Sequence, residues 1–149
     1  MEDSWLDDLQ ALHDADQAQR EAKEAAKQKA KSLVEQRKEQ ARAIMNRLHA
    51  HELLRQLQKT LLKGNGELTF YQNTQEYDEV VTLVWCGSFS AARKPKIDEV
   101  PEGNLVVAAR GGQAWLNGVA IEIHTPDYLQ KMLLAACRQW QIEYQKAQA

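Results

Sequence analysis

The feature that most constrains this chain is a gap in its punctuation: the first glycine is Gly64 and the first proline is Pro95. Nothing before Lys63 strongly breaks a helix. Residues 17–63 are instead rich in Ala, Gln, Glu, Lys, Arg and Leu, all good helix formers. The spacing predicts a helix over about 17–63, ending where Gly64 suits a left-handed cap and Lys63 suits the helix dipole. Such a helix would be roughly 70 Å long. A domain of about 85 residues is only about 30 Å across, so the helix is expected to project, bend back or pair with another chain.

Ahead of it, Ser4 with Asp7 three residues on reads as the start of a short helix over 4–13. Its face would carry Trp5, Leu6, Leu9 and Leu12. Asp14 and Asp16 look like caps for a second start, so a kink is expected near 13–16. The long helix divides by pattern. Ile44, Met45, Leu48, Leu53, Leu54, Leu57, Leu61 and Leu62 read as one dense apolar face that docks on a core. Before them, Ala11, Ala15, Ala18, Ala22, Ala26, Ala30 and Leu33 make a narrow stripe of small residues that buries little area.

From Gly64 the period changes. Strands are expected at Glu67–Tyr71, Asp78–Cys86, Asn104–Arg110, Gln113–Leu116 and Val119–His124. The near-continuous apolar run after Asp78 reads as a central strand covered on both faces. Asn117-Gly118 and Gly111-Gly112 are two-residue hairpin signals. Thr125-Pro126-Asp127 opens a last helix over 126–147. The fold class is therefore α+β: a long N-terminal helix, an antiparallel meander of about five strands and a C-terminal helix. The expected division is an acidic segment and helical arm over 1–42, and a compact domain over 43–149.

The two hairpins fix register, and register fixes faces. One face collects Leu105, Val107, Ala109, Ala114, Leu116, Val119, Ile121 and Ile123, the core side. The other collects Val106, Ala108, Arg110, Gln113, Trp115, Ala120, Glu122 and His124. A tryptophan among alanines, fringed by polar groups, has the anatomy of an interface anchor. Trp115, Arg110, Gln113, Glu122 and His124 are therefore the candidate partner-binding residues, unless the chain's own helices cover them. Gly87–Gly103 is a long connection, and its Arg93, Lys94 and Lys96 are candidates for gripping an anion or a partner.

Charge comes in blocks. Residues 1–16 carry −6, residues 17–63 carry +7 and residues 64–149 carry −3, for a net charge of −2. Block asymmetry points to partners rather than to fold. No Glu within 17–63 has a Lys or Arg four residues later, the spacing that best supports an isolated helix. Lys23, Lys27 and Lys31 follow at steps of four and repel, so this basic arm would gain from an anionic partner.

Other classes find little support. His13, His49, His51 and His124 do not converge with cysteines as a zinc site requires. No phosphate-binding glycine loop, dinucleotide fingerprint or nucleophile elbow occurs, so no catalytic residue, metal or cofactor is assigned. The tripeptide Gly111-Gly112-Gln113 also occurs in peptide-chain release factors, but there it sits in a long mobile loop and here in a tight turn. Cys86 and Cys137, each in an apolar run, read as buried free thiols of a reducing, cytoplasmic compartment. No signal peptide or membrane span is expected. The leading expectation is a non-enzymatic adaptor, assembly or regulatory factor that binds a protein partner, with self-association through the arm as a further possibility. The alternative is a nucleic-acid-associated protein using the basic helix 20–63, less favoured because the pI is about 6.1 and the arm lacks aromatics.

Overall fold

The structure is a computed structural model and describes residues 2–148. The chain divides between Gln36 and Arg37. Helix α1 spans Glu2–Leu48 and α2 spans Ala50–Leu61. Strands β1 (Glu67–Gln72), β2 (Glu79–Trp85), β3 (Gly103–Arg110), β4 (Gln113–Leu116) and β5 (Val119–Ala120) follow, then helix α3 (Pro126–Gln148). One open antiparallel sheet has the order β1-β2-β3-β4-β5. This is the α+β architecture expected from the sequence.

In the first unit every described side chain from Ser4 to Gln36 is exposed. The expected break near 13–16 is absent. α1 begins at Glu2, and Ser4 lies inside it rather than capping it. The aspartates that looked like caps pair along the helix instead. Gln10 Nε2 donates to Asp14 Oδ1 at 3.0 Å, and Arg20 Nε lies 3.2 Å from Asp16 Oδ2. With no Gly or Pro to interrupt the ladder, four-residue side-chain pairs favour continuing the helix.

The break falls at His49, in the left-handed conformation with φ 52°. The apolar pattern demands it. At 100° per residue, Ala41, Ile44, Met45 and Leu48 centre on a face about 180° from that of Ala50, Leu53, Leu54, Leu57 and Leu61. One straight helix would bury one set and expose the other. A single left-handed residue resets the phase, and both Leu48 and Ala50 are buried. A non-glycine residue there costs roughly 1–2 kcal/mol. His49→Gly is therefore expected to keep the fold and gain about 1 kcal/mol. His49→Val is expected to lose stability, because a β-branched residue fits that region worst. Thermal melts of the two variants against the wild type check this.

The compact unit begins at Arg37. Its core joins the last turns of α1, α2 and α3 to one face of the sheet, with Trp85, Leu48, Leu54, Leu62, Leu83, Leu105 and Leu129 fully enclosed. The Thr125 hydroxyl accepts from the Tyr128 N–H at 3.3 Å, starting α3 as expected. The expectation that β2 is covered on both faces holds in part: no β2 side chain is exposed, and on the second face Val80 is buried while Thr82 and Val84 are half-buried. Val81, Leu83 and Trp85 enter the core cluster, whereas Val80, Thr82 and Val84 are not part of it. β2 is apolar on both sides, but α1, α2 and α3 contribute to the core on only one.

Candidate functional site: the outer sheet face

The pairing of the strands builds the outer face. Tyr71 stands opposite Val80, Val80 opposite Ala108, Ala108 opposite Trp115, and Trp115 opposite Ala120. One cross-strand row thus runs through all five strands. A second row aligns Thr69, Thr82 and Val106. Solvated antiparallel faces normally alternate to polar residues. This one is mostly Val, Thr, Ala and aromatic.

Trp115 is half-buried at the middle of the β3–β5 part of the first row, with an alanine on each side. The alanines leave its indole room to lie over the sheet. Tyr77 packs on it, with ring centroids 5.7 Å apart and planes tilted by 52°. Tyr77 sits in the turn before β2, where the Thr74 hydroxyl binds both its N–H and its carbonyl at 3.0 Å. Arg110 pins the same turn, donating through Nη1 to the carbonyls of Gln75 and Glu76 at 3.3 and 3.2 Å. Arg110 therefore holds the turn that presents Tyr77.

Register brings Arg110, Gln113 and Trp115 onto this face as the hairpins predicted, with Arg110 opposite Gln113. Glu122 and His124 are not carried there. The expected strand Val119–His124 is paired only at Val119 and Ala120. The Ile121 N–H still donates to the Ala114 carbonyl at 2.8 Å, after which the chain leaves towards the cap of α3. Ile123, assigned to the core face, is 53% exposed for the same reason, and Val119, also assigned there and paired with Leu116, is 62% exposed. At the other end of β4, Asn117 prolongs pairing with its side chain. The Val106 N–H donates to Asn117 Oδ1 at 2.7 Å, and Asn117 Nδ2 donates to the Asn104 carbonyl at 3.3 Å. Both Asn117 and Gly118 have positive φ, as a tight hairpin turn requires.

Beneath the Gly111 turn lies a buried charge. Asp78 is 3% exposed and accepts from Arg37 Nε and Nη2 at 2.9–3.1 Å and from the Gly111 N–H at 3.0 Å. Burial by itself would raise the Asp78 carboxyl. The Arg37 and Gly111 hydrogen bonds, with the charges of Arg37 and Arg110, outweigh it and hold the carboxyl below its ordinary value. The neighbouring Glu79, also buried, lies 3.6 Å from Arg42 Nε and accepts from Gln72 Nε2 at 3.3 Å.

The basic loop candidates are largely committed within the chain. Arg93 grips Glu99 with two hydrogen bonds of 2.6 Å. That pair, with the Lys96 N–H, pushes the Glu99 carboxyl down to about 2. Lys94 Nζ lies 3.6 Å from Glu67. Lys96 contributes its backbone N–H to Glu99. In the arm, Lys23, Lys27 and Lys31 are exposed, and no ion pair engages them among the described residues. Cys86 and Cys137 are buried and unpaired, and burial pushes the Cys137 thiol up to about 11.

No family model, curated protein or solved structure matches this chain. Among the described residues no helix is long and apolar enough to cross a membrane, and no three His, Cys, Asp or Glu side chains are grouped to hold a metal ion. Sequence reasoning missed Tyr77 and Tyr71. Tyr71 alternates correctly in β1, but its row depends on the β1–β2 and β2–β3 pairings, and no two-residue turn fixes either. Tyr77 lies outside any strand, so no periodicity marks it.

Proposed function

We propose that the protein is a non-enzymatic interaction module that takes a protein partner on its outer sheet face, with the helical arm adding reach or self-association. One observation carries this reading: an apolar and aromatic row crosses all five strands on the side away from the core cluster. A half-buried Trp with small neighbours and a polar end at Arg110 and Gln113 suits an anchor for a partner's apolar side chains. The buried free thiols favour a reducing, cytoplasm-like compartment. The nucleic-acid alternative is less well supported, because Arg37 and Arg42 of the basic helix are engaged by Asp78 and Glu79.

Trp115→Ala is expected to weaken partner capture by immobilised full chain at least tenfold, about 1.4 kcal/mol. Its circular dichroism and its melting within a few degrees should stay as in the wild type. Quantified capture from native extract, scored beside the melt, checks both. Undiminished capture, or gross unfolding, overturns the reading.

A further inference from the structure

Each unit of this chain carries an exposed apolar surface. The first is on α1. Trp5, Leu6, Leu9 and Leu12 are 65%, 60%, 42% and 70% exposed. On a helix they fall within an arc of about 120° and span roughly 10 Å along the axis. Asp7 and Asp14 stand on the far side and Asp8 on the flank, in a segment, residues 1–16, that contains no Lys or Arg.

The second surface is a groove of about 450 Å³ between α2 and α3. Leu53, Leu57 and Leu61 form one wall, Leu133 and Leu134 the other, and Phe89 adds an aromatic ring. Leu134 is 54% exposed. Among the described residues Arg138 is the only charged side chain in the lining, and no carboxylate lines the groove. Leu53 to Leu61 run roughly 12 Å along α2, enough for the whole Trp5–Leu12 stripe.

We propose that this groove receives the Trp5–Leu12 segment of a second copy of the chain, laid in as an amphipathic helix. The recognition is helix-in-groove, read by anchors at one, four and seven residues after Trp5. Length and charge favour this occupant: the stripe matches the groove in length, its segment has no Lys or Arg to repel Arg138, and Asp8 on the flank of the stripe is the acid placed beside the groove's cationic rim. The contact uses different patches on the two copies, so it is heterologous. It is also small, which places its affinity in the micromolar range. It uses a surface separate from the outer sheet face, and its failure would leave the sheet-face reading standing.

Sedimentation velocity of the full chain over roughly 1–200 µM tests it. The wild type is expected to associate as concentration rises. A stripe variant, Trp5→Asp with Leu9→Asp, and a groove variant, Leu134→Glu with Arg138→Glu, are each expected to associate at least tenfold more weakly. The substituted groove residues lie on the rim, and circular dichroism shows whether the variant is folded. If it is not, Arg138→Glu alone takes its place. Mixing the stripe variant with the groove variant is expected to restore association, because an intact stripe then meets an intact groove. A wild type that stays monomeric throughout overturns the proposal, as it would if the groove held its own chain's segment or another protein's helix. So does a folded groove variant that associates like the wild type, or a mixture that stays monomeric.

Discussion

Gly103→Ala is expected to cost about 3 kcal/mol, far more than one methyl group usually does. Gly103 pairs with Trp85 across β2 and β3. A Cβ at this position would lie 2.6 Å from Trp85 Nε1 and closer still to Cε2 and Cζ2. The indole therefore lies directly over the glycine backbone. Neither side has room to move. Trp85 is fully buried and meets the Trp140 ring edge-on at 5.1 Å and the Phe89 ring at 5.9 Å. The strand is tied down one residue earlier, where Trp140 Nε1 donates to the Glu102 carbonyl at 2.9 Å. Trp85 Nε1 is buried without an acceptor among the described residues, so shape and aromatic contact hold this ring. Urea titration should show the loss as a lower midpoint at unchanged slope. In a Trp85→Leu background the same glycine change should cost less than about 1 kcal/mol. An equal cost in both backgrounds would show that the indole is not the obstacle.

Asp78→Ala is expected to cost about 3 kcal/mol at neutral pH, the lower end for a broken buried ion pair. Arg37 is one-third exposed and can recover some hydration, but the Gly111 N–H loses its buried acceptor. The pH dependence has a definite sign. The folded Asp78 carboxyl is held below its ordinary value, so its contribution is complete above the unfolded value near 3.9. That contribution is lost as pH falls from there through the folded value. Glu99, pushed down to about 2 by Arg93, acts in the same direction over a similar acid range. Melting temperature is therefore expected to fall below about pH 4.5 in the wild type. Asp78→Asn should fall less steeply, retaining the Glu99 part. A variant that matches the wild type at pH 7 and keeps its full acid slope would remove Asp78 and Arg37 from the stability account.

Hairpin chemistry made the β3–β4–β5 register legible. Asn117-Gly118 and Gly111-Gly112 each force a two-residue turn, and the pairs from Val107–Leu116 to Arg110–Gln113 follow by counting. The same counting failed past Ile121, because alternation continues in the sequence through Ile123 while the hydrogen bonds stop. Only the path to α3 ends that strand. The His49 break was present in the sequence as a slip in apolar phase between Leu48 and Ala50. It was obscured by good helix formers on both sides, since propensity acts residue by residue whereas phase needs a face to pack against. Asp14 and Asp16 misled for the opposite reason: a capping residue is also able to pair with a neighbour four positions away.

The uninterrupted helical stretch that opened the sequence reading is therefore two helices. The sequence by itself determined that residues 4–13 and most of 17–63 are helical, that about five strands follow and that Thr125 starts the last helix, because these are local matters of propensity, turns and caps. Tertiary structure decided the rest. It placed the break at His49 so that both apolar faces reach one core, and it paired Arg37 with Asp78, 41 residues apart. It also aligned Tyr71, Val80, Ala108, Trp115 and Ala120 into one row. Those outcomes depend on which distant segments share a core and a ladder, and the spacing of residues along the chain does not record that.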